Sequence, residues 1–390
     1  MKSSSLNILL VVTVLSFSTL YSPQPILPLL AQEFSITGSK ASLLISLTLF
    51  PLGLTPIIFG YLIDNFSART IMLCFISMLT FSEFSFVFVT DFQILLGLRL
   101  LQGLLLSAIF TAIITYIGNQ SSSQQRQKAV SSYISATIIG GFTGRFFTGF
   151  IADFTNWRVA FIVWTVGLLY ALFLLRKLEK DAPSQGSHLP IKGVWKTFRQ
   201  PRHYRVYLTA FIVFFAFASV LNVLPFRIRE IMPSSSESLI ASAYLGYLMG
   251  IVISLNAQSI STKLGSPVNS TLLGITAFCL GIMMLAGNNL ILVFSAVFVF
   301  SSGFFLMHST LSAYINQHTK TQRGVANGLY IAFYYAGGSL GSYLPLIVFD
   351  YWGWHFYLLV VISSSLIGLL IIFGLKAIDR TELKKNNLVV

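Results

Sequence analysis

The chain has 390 residues, of which 55% are hydrophobic and only 9% are charged, and its mean hydropathy is +0.78. So few charges cannot cover the surface of a soluble domain, which typically has about 25% charged residues. The 35 Phe, 16 Tyr and 5 Trp exclude a disordered chain, and two cysteines are too few for a disulfide-rich secreted protein. The composition therefore predicts a polytopic membrane protein.

Twelve apolar runs are each long enough to cross a bilayer as a helix, which takes about 20 residues. Their approximate limits are 6–32, 41–63, 71–89, 92–118, 128–152, 157–176, 204–231, 238–262, 268–286, 290–317, 324–349 and 354–375. Runs of this length without alternation exclude a transmembrane β-barrel. The first run lacks a signal-peptide cleavage site and is predicted to remain as the first helix. The predicted fold class is an all-α polytopic membrane protein with 12 transmembrane helices.

The net charge of +13 is distributed unevenly between the predicted loops. With the amino terminus inside, nineteen Lys and Arg lie in inner segments, whereas four lie outside, namely Lys40, Arg158, Arg227 and Arg229. The positive-inside rule therefore places both termini and the long middle loop in the cytoplasm. Attraction to anionic lipid headgroups accounts for the positive charge, so no nucleic-acid partner is expected.

The first six spans and the last six repeat one another at a constant offset of 197 residues. The matched positions are Gln125-Arg126 and Gln322-Arg323, Gly140-Gly141 and Gly337-Gly338, Gly144 and Gly341, Asp153 and Asp350, and Trp157 and Trp354. The polar segment 177–203 separates a predicted bundle over 1–176 from a second one over 204–390. Two similar bundles predict a transporter that exposes a central cavity alternately to each side of the membrane.

The loop after the second predicted span reads GYLIDNFSAR from Gly60 to Arg69. Gly60, Leu62 and Asp64 match the motif G-x-L-a-D-r-x-G-R-K of the major facilitator superfamily of secondary transporters, and Arg69 holds the final basic position. Ser67 and Ala68 depart from the motif, since they replace its Gly and its Arg. The resemblance implies that Asp64 latches the cytoplasmic ends of the two halves by binding the amino end of the eleventh helix. A solvated loop acid is the alternative.

The fourth and fifth spans carry two further motifs. Arg99 and Gln102 fit R-x-x-Q-G, and Gly140 to Gly144 lie where drug:proton antiporters carry Gly-x-x-x-Gly-Pro, with Arg145 in place of the proline. The set resembles the YnfM-like group of bacterial efflux permeases over essentially the whole chain. The resemblance implies two six-helix bundles, a proton gradient as the energy source and no cofactor. The predicted gating residues are Gly60, Asp64, Arg69, Gly140, Gly144 and Gly341. The last three lie inside spans, where glycine allows close packing of helices.

Three ionisable residues inside predicted spans are candidates for substrate binding or coupling, because such residues are costly in a membrane. Arg99 is predicted to contact an anionic substrate or a proton acceptor, with a tie to backbone carbonyls as the alternative, and Gln102 lies one turn later on nearly the same face. Glu83 is predicted to carry the proton, or to be a capped polar residue of a peripheral helix. Arg145 is predicted to bind an anionic substrate or a carboxylate across the outer gate, or to anchor at the interface near Asp153.

Other candidates are uncharged. His308 is predicted to be a core residue, with a proton relay as the alternative. Tyr330 and Tyr334, four residues apart, share a helix face. They are predicted to form a hydrogen-bonding aromatic wall for amphipathic substrates, or to serve helix packing. The other members of this wall are Tyr21, Asn222, Tyr244 and Tyr247. Gln24 is a further polar candidate in the first predicted helix.

The sequence has no Walker glycine loop, zinc-ligand spacing or Ser/His/Asp grouping, which excludes ATP-driven transport and enzymatic catalysis. It predicts a monomeric, proton-coupled exporter of a small organic molecule in a bacterial inner membrane. The alternatives are an importer or facilitator of a small metabolite, including an anionic one, a dedicated siderophore or metabolite exporter, and a receptor that transports nothing. Cys74 and Cys279 are predicted to be buried structural thiols.

Overall fold

The computed structural model describes residues 1–58, 65–183, 191–319 and 322–387, which are almost entirely helical and contain no β-strand. The helices of the first half are α1 Ser3–Tyr21, α2 Leu27–Glu33, α3 Gly38–Ile58, α4 Ala68–Phe86, α5 Phe92–Gln120, α6 Ser123–Phe154 and α7 Trp157–Leu175. Those of the second half are α8 Ile191–Phe198, α9 Pro201–Ile231, α10 Glu237–Ser242, α11 Met249–Lys263, α12 Pro267–Met284, α13 Leu290–His318 and α14 Arg323–Asn387.

Within the described ranges, ten helical stretches are long and apolar enough to cross a membrane. The longest, Arg323–Asp379, contains two predicted spans, because Gly353 interrupts α14 with a positive φ of 77°. The shorter apolar helix Gly38–Leu54 corresponds to the second predicted span. Together these helices account for the twelve predicted spans and confirm the all-α class.

The first predicted span is not one continuous helix. α1 ends at Tyr21, a 3₁₀ turn follows at Gln24–Ile26, and α2 begins at Leu27. Pro23 and Pro25 account for this break, because proline has no N–H to donate to the carbonyl four residues earlier. The carbonyl of Thr19 therefore lacks a helical donor.

The predicted polar middle loop also differs from expectation, because it contains the short helix α8, which no long apolar run indicated. The two cysteines are free, as expected, but Cys74 is exposed and Cys279 is partly buried. The prediction of two buried thiols was wrong for Cys74, because an apolar run does not tell which face of its helix packs against other helices.

The helices group into two compact units. The first comprises Met1–His188 and Leu221–Leu248, and the second comprises Leu189–Val220 and Met249–Val390. α9 therefore contributes its first part to the second unit and its last part to the first unit. The domain limits given above, 1–176 and 204–390, stay a prediction.

Two glycines allow a close helix contact in the first unit, between α1 and α6. A Cβ atom built on Gly140 would lie 2.6 Å from the Val14 carbonyl oxygen, and one on Gly144 would lie 2.3 Å from the Ser18 carbonyl oxygen. Real Cβ atoms do not approach this closely. The two helices can therefore touch only because both positions are glycine.

The second unit repeats this contact between α14 and α9. A Cβ on Gly337 would lie 2.1 Å from the Phe211 carbonyl oxygen, and one on Gly341 would lie 2.0 Å from that of Phe215. Each of these four residues follows its counterpart in the first unit by 197 positions. The offset found in the sequence thus holds for the contact partners as well as for the glycines, which is what a duplicated unit predicts.

Candidate substrate and coupling site

Arg99 on α5 is completely buried. Its guanidinium donates hydrogen bonds to the carbonyls of Leu44 (2.8 Å), Thr19 (3.1 Å) and Leu20 (2.5 Å) and to Oε1 of Gln102 (2.7 Å). The Thr19 carbonyl is the one that Pro23 leaves without a helical donor, and Arg99 and the Ser22 hydroxyl replace that donor. These contacts match the alternative prediction, in which Arg99 is bound by backbone carbonyls. They also confirm that Gln102 lies on the same helix face as Arg99.

Glu83 on α4 joins this network from a different helix. Nε2 of Gln102 donates to Oε2 of Glu83 at 2.9 Å, so the amide bridges a fully buried carboxylate and a fully buried guanidinium. Among the described residues, the second carboxylate oxygen, Oε1, has no hydrogen-bond partner. Glu83, Gln102 and Arg99 therefore form one connected group with opposite charges at its ends, and an oxygen of Glu83 remains available to a proton.

Arg145 on α6 is 1% exposed and lies among three tyrosine rings. Its Cζ is 3.9 Å from the ring centroid of Tyr21, 4.6 Å from that of Tyr247 and 5.5 Å from that of Tyr244. All three distances are within the range of about 6 Å for cation–π attraction. Nη1 donates to the Gly141 carbonyl at 2.5 Å. We refer to Arg145 and the three tyrosines as the Arg145 cage.

Gln24 links the Arg145 cage to the last part of α9. Nε of Arg145 donates to Oε1 of Gln24, and Nε2 of Gln24 donates to Oδ1 of Asn222. Gln24 lies in the 3₁₀ turn that follows α1, so the break in the first span places its amide between these two groups. The predicted neighbour of Arg145, Asp153, instead accepts a hydrogen bond from the Ser238 hydroxyl at 2.5 Å.

His308, Tyr330 and Tyr334 come together in the second unit. The Tyr330 hydroxyl lies 3.0 Å from Nδ1 of His308, and the ring centroids of His308 and Tyr334 are 4.7 Å apart. The shared face of the two tyrosines is confirmed by their stacked rings, 6.4 Å apart. Phe214 stacks on Tyr334 at 3.9 Å and Phe304 on His308 at 6.0 Å, so an aromatic cluster surrounds the imidazole.

Several polar features escaped the sequence analysis. Both carboxylate oxygens of Asp181 accept hydrogen bonds at the amino end of α4, from the N–H groups of Ala68 (2.9 Å) and Arg69 (3.0 Å). The Arg69 side chain donates to the Arg176 carbonyl at 2.8 Å. The second unit also contains a cavity of about 500 Å³ whose lining includes Ser254, Gln258, Ser261, Thr262, Ser309 and Gln317. Apart from the matched position of Arg69, no motif indicated these contacts.

The structure thus assembles the predicted residues into three groups. Glu83, Arg99 and Gln102 form the first, and the Arg145 cage with Gln24 and Asn222 forms the second. His308, Tyr330 and Tyr334 form the third. Of the predicted gating residues, Arg69, Gly140, Gly144 and Gly341 have the contacts given above, whereas Gly60 and Asp64 lie outside the described residues.

Comparisons with known proteins concern the family and the fold of the chain. A family model described as Major Facilitator Superfamily matches residues 9–342. The inner membrane transport protein YnfM of Escherichia coli strain K12 is 28% identical over 365 residues, which cover 90% of this chain and 87% of that protein. Multidrug resistance protein 2 of Bacillus subtilis strain 168 is 24% identical and covers 84% of each chain. A mutant of the nucleoside transporter NupG has the same fold, with a TM-score of 0.77 and 13% identity. The match covers 95% of this chain and 100% of that chain.

Proposed function

The chain belongs to the major facilitator superfamily, and we propose that within it this transporter exports a small organic molecule in exchange for protons. The protein is a secondary transporter rather than an enzyme, and it is a multi-pass protein of the bacterial plasma membrane, like its relative YnfM. Its energy source would be the proton gradient, with no bound cofactor, and it would work as a monomer in the bilayer. The likeness to a multidrug resistance protein supports the outward direction.

The observation that carries the proposal is the buried group formed by Glu83, Gln102 and Arg99. A carboxylate inside a membrane span is expensive and is usually functional. Here it faces the protein interior, is 0% exposed, and keeps one oxygen without a partner among the described residues. A single proton on Glu83 would remove the negative end of the group and leave the charge of Arg99 uncompensated.

Arg99 would transmit this change to the backbone. Its guanidinium holds the Thr19 and Leu20 carbonyls, which are the last turn of α1 before the break. The break leads directly to Gln24 and hence to the Arg145 cage. Protonation of Glu83 would therefore alter the anchoring of the same segment that contacts Arg145, and the proton site and the cage would be coupled through four residues of backbone.

Purified protein in liposomes with an imposed pH gradient tests the proposal. Addition of a substrate should dissipate the gradient, and Glu83→Gln should abolish this proton movement while preserving the hydrogen bond from Gln102. Glu179→Gln is the matched control, because Glu179 is an exposed carboxylate of the same unit, paired with Lys2 at 2.6 Å. Proton-coupled transport that persists in Glu83→Gln would refute the assignment of the proton, and no movement of any substrate with the gradient would refute the coupling.

A second candidate is uptake or facilitated diffusion of a small metabolite, and one observation favours it. Arg145 has no carboxylate among its contacts in the described part of the chain, which suits an anion as the transported molecule. A dedicated exporter of a siderophore or another metabolite is compatible with the same feature. Transport measured in right-side-out and inside-out vesicles separates export from uptake, since only the coupled exporter accumulates substrate against its gradient in the inside-out vesicles.

A further inference from the structure

We infer that the transported molecule is an organic monoanion with an aromatic body, and that its carboxylate displaces the Gln24 amide from Arg145. This inference rests on the proposed transport function and names its substrate class. It is carried by the charge balance around Arg145, by the shape of the Arg145 cage and by the position of the Gln24 amide.

The charge balance distinguishes Arg145 from three other arginines of the first unit. Arg158 forms an ion pair with Glu33 at 2.8 Å, Arg227 pairs with Glu230 at 2.7 Å and Arg229 pairs with Glu237. All three side chains are more exposed than Arg145. Arg145 contacts tyrosine rings, an amide oxygen and a backbone carbonyl, all of them uncharged. Among the described residues, the most buried of these four charges therefore lacks the counter-charge that the others have, although burial makes an unpaired charge costly.

The Arg145 cage also leaves hydrogen-bonding capacity. A guanidinium has five N–H donors. Among the described residues, its hydrogen-bonding partners are Gln24, Gly141 and the Tyr247 side chain. Two donors therefore remain for an added acceptor, and a carboxylate accepts the planar fork of an arginine through both oxygens. The same guanidinium is surrounded by three buried tyrosine rings, and aromatic surroundings favour a ligand with an aromatic body.

Gln24 is the residue that a substrate carboxylate would displace. Its Oε1 accepts from Arg145 as one carboxylate oxygen would, but it brings no charge. Displacement would also free Gln24 from Asn222, which belongs to the last part of α9. Binding of the anion would thus break a contact between the 3₁₀ turn and α9. A dianion would fit less well, because its second charge would find no cation among the residues that contact Arg145.

Equilibrium binding without any gradient tests the inference independently of proton coupling. Benzoate is the probe, benzamide is its uncharged isostere and phthalate is a dianion. We expect saturable binding of benzoate to the detergent-solubilised full chain, at least 10-fold weaker binding of benzamide and phthalate, and at least 10-fold weaker benzoate binding in Arg145→Lys. Arg158→Lys is the matched control and should bind benzoate as the wild type does, because Arg158 already has a carboxylate partner and also lies over an aromatic ring, that of Trp157.

Two substitutions of Gln24 give opposite predictions. Gln24→Glu supplies an internal carboxylate, so it should weaken benzoate binding at least 10-fold and raise the midpoint of thermal unfolding. Gln24→Ala removes the competing amide, so it should tighten benzoate binding, which excludes misfolding as the explanation. Absence of benzoate binding to the wild type, equal binding of benzamide, or wild-type binding in Arg145→Lys or Gln24→Glu would overturn the inference. A pH gradient that still drives transport of another compound would then leave the proposed function intact.

Discussion

Substitution of Gly144 by alanine should separate the helices α1 and α6. The added Cβ would lie 2.3 Å from the Ser18 carbonyl oxygen, whereas ordinary contacts begin at 3.4 Å, so the helices must part by about 1 Å. The Ser18 hydroxyl also bonds the Gly140 carbonyl (3.2 Å) and Thr143 (2.7 Å), which opposes such a shift. Overpacking of this kind costs about 1–3 kcal/mol. At about 2–4 °C per kcal/mol, the midpoint of thermal unfolding should fall by several degrees.

The assay is thermal unfolding of the purified protein, read from intrinsic fluorescence, together with transport. Gly341→Ala should behave in the same way, because its Cβ would lie 2.0 Å from the Phe215 carbonyl oxygen. Gly97→Ala is the control, since nothing lies within 4 Å of the Cβ position there and alanine favours a helix by about 1 kcal/mol. An unchanged midpoint in Gly144→Ala, or an equal fall in Gly97→Ala, would contradict the close contact of α1 with α6.

Two further predictions concern groups at the helix ends of the first unit. Asp181→Asn replaces one of the two charged acceptors of the Ala68 and Arg69 N–H groups, and we expect the free energy of unfolding to fall by about 1 kcal/mol in chemical denaturation. Lys2→Gln should change stability only slightly, because both side chains of the Lys2–Glu179 pair are exposed. Glu179 raises the pKa of Lys2, so any contribution of this pair is present at neutral pH and is lost as the pH rises through that pKa, and a pH series of wild type and Lys2→Gln checks the sign.

The fold could be predicted largely because the membrane imposes simple rules. The length of the apolar runs indicated the spans, and the constant offset of 197 residues indicated the duplication that the contacts of Gly144 and Gly341 reproduce. The break after Tyr21 was not predicted, although Pro23 and Pro25 cause it. Its stability depends on donors from Arg99, which is 80 residues away from Thr19 in the sequence. Local patterns cannot reveal such a partner.

The candidate site was predictable within a helix and unpredictable between helices. Arg99 and Gln102 are three residues apart, so the helical period alone predicted their contact. The bond of Gln102 to Glu83 joins α5 to α4, and the link from Arg145 through Gln24 to Asn222 joins residues that are up to 198 positions apart. Individual residues of these groups were recognised because they are polar in apolar runs. Their grouping required the packing of helices that the sequence does not encode locally.

In the aromatic cluster of the second unit, the role of Tyr330 in packing can be separated from a role in substrate binding. The Tyr330 hydroxyl lies 3.0 Å from Nδ1 and 3.3 Å from the carbonyl oxygen of His308, and it has one hydrogen. Both contacts are satisfied together only if the hydroxyl donates to the carbonyl and accepts from the N–H of Nδ1, which requires the proton of the neutral imidazole on Nδ1.

Tyr330→Phe keeps the ring and removes both bonds, so it should destabilise the protein by about 1–3 kcal/mol, the cost of an unpaired buried polar group. Tyr351→Phe, at a tyrosine that is 78% exposed, is the control and should have no effect on thermal unfolding. Equal midpoints for the two variants would mean that the Tyr330 hydroxyl does not hold His308. If stability falls while the substrate concentration for half-maximal transport is unchanged, Tyr330 packs the helices α13 and α14. If that concentration also rises, the same hydroxyl contacts the substrate, because a packing role alone does not change affinity.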